Sequence, residues 1–128
     1  IDESGKISLS MKQAEEKKLF ESLNRLLGKH PELLSDEKLG RERLAKLLGT
    51  NTTYLHSAIR KYTDYTVTEY LNHLRIQKIR EAMISLSSIS IEGLRIKYGF
   101  STHTTFYRYF KGEYGVSPAD FRRSVQKQ

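Results

Sequence analysis

TVTEYLNHLRIQKIREAMISL, residues 66–86, decides the fold. It contains neither Gly nor Pro. Val67, Tyr70, Leu71, Leu74, Ile79, Ala82, Met83 and Leu86 recur at steps of three and four, the signature of an amphipathic helix. At about 1.5 Å per residue such a stretch makes a rod of roughly 30 Å. On each side of it lies a segment with the same short plan.

In that plan Gly49 and Gly99 each follow a short apolar helix. Asn51 and Ser101 come two residues later, and both are N-cap residue types. Past that point the second copy carries one extra residue. Leu55 then matches Phe106, Ile59 matches Phe110, Arg60 matches Lys111, Thr66 matches Ser117 and Tyr70 matches Phe121. Each copy reads helix, tight Gly turn, helix, loop, capped helix, which is a helix-turn-helix used twice. The glycine permits the sharp turn, the first helix braces the second, and the second can present its outer face to a major groove. One turn of B-DNA advances about 34 Å, so the rod is expected to hold two reading helices about one turn apart.

The remaining pattern is helical as well. Residues 1–10 mix Gly, Ser and charges and read as a linker or disordered lead-in. Ser10 then stands as a cap before Met11, Leu19, Phe20, Leu23, Leu26 and Leu27, with Gly28 as a stop. A second helix is expected over 40–48, with Leu39, Leu44, Leu47 and Leu48 as its apolar set, and a third over 52–62 behind Asn51. After the rod, Ser90 or Ser88 caps a short helix with Ile91, Leu94 and Tyr98. Ser101 is expected to cap a helix over 102–112, and Ser117 caps a last helix with Pro118 at its first position, where Pro is best tolerated. With no convincing strand, the fold expected is all-α, about seven helices, with two helix-turn-helix subdomains (homeodomain-like modules) joined by a long linker helix. The organisation expected is 11–66 for the N-terminal helix and first module, 67–87 for the linker helix, and 88–128 for the second module and C-terminal helix.

The chain has 128 residues and a formal net charge of +7. Residues 1–50 hold 10 Lys+Arg against 9 Asp+Glu, and residues 51–128 hold 12 against 6. The excess therefore falls where the two modules lie, and it points to an anionic partner such as nucleic acid. The absence of cysteine removes disulfides, thiolate zinc sites and cysteine nucleophiles and fits a reducing compartment. No apolar run approaches a membrane span and no signal-like segment is present, so no membrane contact and a cytoplasmic location are expected. The chain opens on Ile1 rather than Met, which suggests a piece of a longer protein.

LAKLLGTNTTYLHSAIRKY, TEYLNHLRIQKI and SIEGLRIKYGFSTHTTFYRYFKGEYGVSPADFRR together resemble the DNA-binding module of the AraC/XylS transcription regulators, over about residues 39–123. The strongest portion keeps the Gly-Phe turn, the Phe-x-Arg-x-Phe-Lys helix, and Gly-Val-Ser-Pro before a final aromatic-Arg. The resemblance implies seven helices, with recognition helices at 52–62 and 102–112 entering successive major grooves on one face of double-stranded DNA. It places base-reading positions on Thr53, His56 and Ser57 and on His103, Thr104, Tyr107 and Arg108. Phosphate contacts fall on Asn51, Thr52, Arg60, Lys61, Thr102 and Lys111. It also implies an activator that meets RNA polymerase, and a separate sensing or dimerising region outside this chain. Three residues depart from the family pattern. Arg95 stands where a small Ala usually packs under the second recognition helix, Asp64 where a turn Gly is common, and Ser57 where a long polar residue often reads a base.

Arg108 lies two residues after inward Phe106 and two before inward Phe110, so it points outward, and Arg is the usual bidentate partner of guanine. Tyr70, Phe106, Phe110 and Phe121 read as core. Arg75, mid-rod, is expected to be partly buried against a carboxylate in a structural role. His30, His56, His73 and His103 are too scattered for a metal cluster; no cofactor or metal is expected. No Ser/His/Asp or Cys/His constellation and no glycine-rich phosphate loop is visible, so an enzyme is not expected. The alternative is a helical protein-interaction bundle without DNA binding, for which Met11 to Leu27 would supply the apolar stripe.

Overall fold

The computed structural model describes residues 2–85 and 88–126, with side chains from residue 13 onward. Among the described residues there are seven α-helices and no strand. They are α1 (Asp2–Lys29), α2 (Arg41–Leu47), α3 (Thr52–Tyr62), α4 (Val67–Ser85), α5 (Ile91–Lys97), α6 (His103–Tyr114) and α7 (Pro118–Gln126), with one turn of 3-10 helix at Pro31–Ser35. The all-α expectation holds. No helix among the described residues is long and apolar enough to cross a membrane.

Helix α1 begins at Asp2, so residues 2–10 lie in helix rather than in a linker. Lys, Glu and Ser each cost a helix interior at most ~0.7 kcal/mol relative to Ala, and only Gly5 costs more, so nothing in that stretch forces a break. The side chain of Met11, and all of Leu86, lie outside the described residues.

The chain divides into two compact units: Ile1–Pro31 with Gly40–Thr68, and Glu32–Leu39 with Glu69–Gln128. The boundary falls inside the first turn of α4, so nearly all of that helix belongs with the second unit. In the first unit Leu23 and Leu27 of α1, Leu44 and Ala45 of α2, and Leu55, Ala58 and Ile59 of α3 are buried. Helix α1 packs on α3, as does α2, and Phe20 stacks on Tyr62 at 5.1 Å. Leu47, expected in the apolar set of α2, is 49% exposed. A helix of about two turns buries only the face that Leu44 and Ala45 already occupy.

The second unit has a core of Ile76, Ile79, Ala82 and Met83 from α4, with Leu94, Phe100, Phe106 and Phe110. Phe110 meets Tyr114 and Phe121 edge-on at 5.0 and 5.6 Å, and the Arg80 guanidinium lies over both of those rings at 5.4 and 5.6 Å. Phe106, Phe110 and Tyr70 are buried and Phe121 is half-buried, as their spacing predicted.

Arg75 explains why residues 32–39 join this unit. It is 4% exposed. Its Nε donates to the Leu34 carbonyl (2.9 Å), Nη2 to the Asp36 carbonyl (2.9 Å) and Nη1 to Asn72 Oδ1 (2.8 Å). A buried guanidinium needs such acceptors. They are two backbone carbonyls and an amide rather than the carboxylate expected. Burial lowers its pKa, and the Asp36 charge opposes that shift.

Candidate nucleic-acid interface

The two copies of the repeat turn identically. Gly49 has φ of 68° and Gly99 of 84°, the left-handed region in which glycine alone is unstrained. The Thr50 N–H donates to the Ala45 carbonyl (2.9 Å), and the Phe100 N–H donates to the Arg95 carbonyl (3.1 Å). Both bonds span five residues and close the preceding helix in a Schellman motif.

The copies then diverge by one residue. Asn51 caps α3, its side chain accepting from the Tyr54 N–H at 2.8 Å. In the second copy the cap is Thr102, accepting from the Thr105 N–H at 3.3 Å, and not Ser101. The extra residue therefore sits in the turn, before the cap. Both Ser and Thr are good caps, so composition could not choose between them. The C-terminus also moves: α6 continues past Gly112 to Tyr114 and ends at Gly115, φ 76°.

On α3, Leu55, Ala58 and Ile59 are buried, which leaves Asn51, Thr53, His56, Arg60 and Lys61 exposed and Thr52 half-buried. Thr53, His56 and Arg60 follow one another at i, i+3 and i+7 and share a face. Thr52, Thr53 and His56 line an open groove with Arg41 at the start of α2 and Thr66 and Thr68 at the start of α4. Arg60 turns one arm back, Nη1 donating to the Asp64 carbonyl at 2.7 Å. Ser57 differs from the rest of the predicted set. It is half-buried, and its Oγ donates to Glu16 Oε2 of α1 at 3.2 Å, on the flank of α3 that α1 covers.

On α6, Phe106 and Phe110 are fully buried and His103, Thr104, Tyr107, Arg108 and Lys111 are exposed. At 100° per residue those five fall within one outward arc. The Arg108 guanidinium lies 5.7 Å from the centre of the Tyr109 ring, and Lys111 Nζ lies 5.8 Å from that of Tyr107, so both cations are steered by aromatic faces. Thr102 is exposed with its hydroxyl occupied by the cap and by Thr105 Oγ1 at 3.0 Å.

Glu92 and Arg95 of α5 join this end of α6. Arg95 Nε and Nη2 each lie 3.0 Å from Glu92 Oε2, and Arg95 Nη1 donates to the Phe100 carbonyl at 2.7 Å. Glu92 Oε1 lies 3.1 Å from His103 Nδ1. The hydrogen bond from Arg95, and next that from His103, hold the Glu92 carboxyl below its ordinary range. Sequence reading missed Arg41, whose signal was only its place beside a turn, and Glu92. The Glu92–Arg95 spacing of three is visible in the sequence; its reach to His103 is not, because that depends on how α5 meets α6.

Each unit thus presents a capped helix on a glycine turn, braced from beneath and basic on its outer face: the two halves of a helix-turn-helix DNA-binding domain. A helix-turn-helix domain family matches residues 44–124, and the chain belongs to that family in its AraC-type form. It is 30% identical over 101 residues to the transcriptional activator RhaS of Escherichia coli, covering 79% of this chain and 36% of that protein. It is also 30% identical over 83 residues to the Msm operon regulatory protein of Streptococcus mutans, covering 65% and 30%. The chain thus spans about a third of the length of these curated relatives. Among solved structures, the C-terminal domain of AraT, a response regulator from Geobacillus stearothermophilus, superposes with a TM-score of 0.71 at 25% identity, covering 83% of this chain and 84% of that one. The chain is a helix-turn-helix domain of the kind found in these transcription regulators, and the interaction-bundle alternative is not favoured.

Proposed function

We propose that this chain binds specific double-stranded DNA through two successive major grooves, α3 entering one and α6 the next, as the DNA-binding part of a transcriptional activator. The single observation that carries this is the outward arc of α6, where His103, Thr104, Tyr107, Arg108 and Lys111 stand exposed over a sealed Phe106–Phe110 core. Arg108 reads guanine, Thr104, Tyr107 and His103 read neighbouring bases, and Lys111 and Thr102 hold phosphates. On α3 the readers are Thr53 and His56, with Asn51, Thr52, Arg60 and Lys61 on the backbone. Arg41 joins them from across the groove. Ser57 reads a base only if its hydroxyl leaves Glu16. Activation is supported by the naming of RhaS as an activator, and it implies a contact with RNA polymerase. A separate sensing or dimerising region and a cytoplasmic setting complete the proposal.

A selection of bound duplexes followed by footprinting tests it. Two protected blocks about ten base pairs apart are expected. In a salt titration six phosphate contacts give a log–log slope of about −5. A single protected block, or a slope near zero, overturns the two-groove reading.

A further inference from the structure

We infer that Glu92 and Arg95 are positioning residues that set which base His103 accepts; this rests on the DNA-binding reading proposed above. His103 is the first residue of α6, and its side chain is 63% exposed. Its Nδ1 lies 3.1 Å from Glu92 Oε1. A carboxylate carries no proton to donate, so the ring nitrogen facing it must be the one that bears hydrogen. The neutral imidazole is thereby locked as the Nδ1–H tautomer, and Nε2 becomes a hydrogen-bond acceptor.

Glu92 is itself held. Arg95 Nε and Nη2 both reach its Oε2, and the same guanidinium is anchored by Nη1 on the Phe100 carbonyl at 2.7 Å. Arg95 is only 14% exposed, against 55% for Glu92. The anchored arginine fixes the carboxylate, and the carboxylate fixes the ring. Phe106 and Tyr107 flank the imidazole, with centroids 6.4 and 6.1 Å away.

An acceptor at the leading end of a recognition helix selects the exocyclic amine of adenine (N6) or cytosine (N4), the major-groove donors. A donor there would select guanine O6 or N7, thymine O4 or adenine N7, so cytosine is the base that separates the two forms. The carboxylate therefore encodes a preference without touching a base.

The isosteric substitution Glu92→Gln tests this. The Arg95 donors keep the amide oxygen, so the amide NH2 faces His103 Nδ1, which must then accept. The tautomer inverts to Nε2–H. Nitrogen NMR of the imidazoles above the histidine titration range is expected to show Nδ1–H at His103 in the parent chain and Nε2–H in E92Q. Duplex selection with the same two proteins, and with H103A, is expected to move the balance at one position of the second block away from cytosine and toward guanine or thymine in E92Q, adenine carrying both the N6 amine and the N7 acceptor. The shift should be roughly three- to tenfold, the size of one net hydrogen bond, and H103A should lose the preference there. Unchanged tautomer in E92Q, or an inverted tautomer with unchanged base preference while salt-dependent binding persists, overturns the inference and leaves the DNA reading standing. Absence of salt-dependent binding in the parent chain overturns both.

Discussion

Gly99 lies against the backbone of Leu34: a Cβ built on it would stand 2.7 Å from the Leu34 carbonyl oxygen and 3.2 Å from Arg75 Nε. The corresponding Gly49 has open space around the same position. Both have positive φ, so Ala at either site carries left-handed strain of about 1–2 kcal/mol. Only at Gly99 must the backbone also move. Gly49→Ala is expected to cost about that strain in urea unfolding, and Gly99→Ala at least ~1–2 kcal/mol more. Equal costs at the two sites would show that the close approach to Leu34 is not a constraint.

Arg75 holds three acceptors from a buried position. Arg75→Met keeps much of the volume and removes every donor, leaving the Leu34 carbonyl and the Asn72 amide oxygen without the guanidinium, while the Asp36 carbonyl keeps the Leu39 N–H at 3.1 Å. The expected loss is about 2–5 kcal/mol, at about 1–3 kcal/mol for each buried acceptor left without its donor. Denaturant melts of the two proteins check it, and a loss below ~1 kcal/mol would mean that water replaces the guanidinium.

Arg108 and Lys111 separate two kinds of contact on one helix. Arg108→Ala is expected to relax preference at a single base pair by about 1–3 kcal/mol. Lys111→Ala should weaken binding to all duplexes alike and reduce the magnitude of the salt slope by about one. Competition titrations against a panel of single-base operator variants distinguish the two patterns.

Acid should loosen both ends of the second unit. The hydrogen bond from Arg95, and next that from His103, lower the Glu92 carboxyl below its ordinary value of 4.5. The hydrogen bond from Arg123, and next that from Ser117, do the same for Asp120 relative to 3.8. A carboxyl with a depressed folded-state pKa contributes stability that is complete above its unfolded value and is lost as pH falls through the folded one. Stability is therefore expected to decline below pH 4.5, first through Glu92 and then through Asp120. Thermal melts between pH 2 and 6 should show a shallower decline in a variant carrying Glu92→Gln and Asp120→Asn.

Most of the architecture was legible because the residues that set it act locally. Asn51 before an apolar period gave α3 its observed bounds, Thr52–Tyr62, and Gly49 and Gly99 sit at the turns their spacing suggested. What could not be read depends on distant partners. Ile76 is fully buried and Arg75 nearly so. Arg75 became interior because the Leu34 and Asp36 carbonyls take its guanidinium, and Ile76 because it joins the core with Leu94 and Phe106; nothing in a period of three and four announces the covering segment. Ser57 has the right helical phase for the outer face, yet Glu16, 41 residues earlier, captures its hydroxyl. Arg95, where a small residue was anticipated, lies at the edge of its helix and engages Glu92 and the Phe100 carbonyl, which a pattern of apolar positions does not encode.

The turn that repeats so closely hides a difference in how each module is made firm. Where the first copy has Thr50, the second has Phe100, which is 3% exposed and packs on Phe106 at 5.6 Å. The second module thus carries its own aromatic wedge under the reading helix. The first has none, and borrows rigidity from Leu23 and Leu27 of the long helix that precedes it. Grafting the second module together with α4 would carry its support along, whereas the first transplanted without α1 would arrive as a hairpin lacking a foundation.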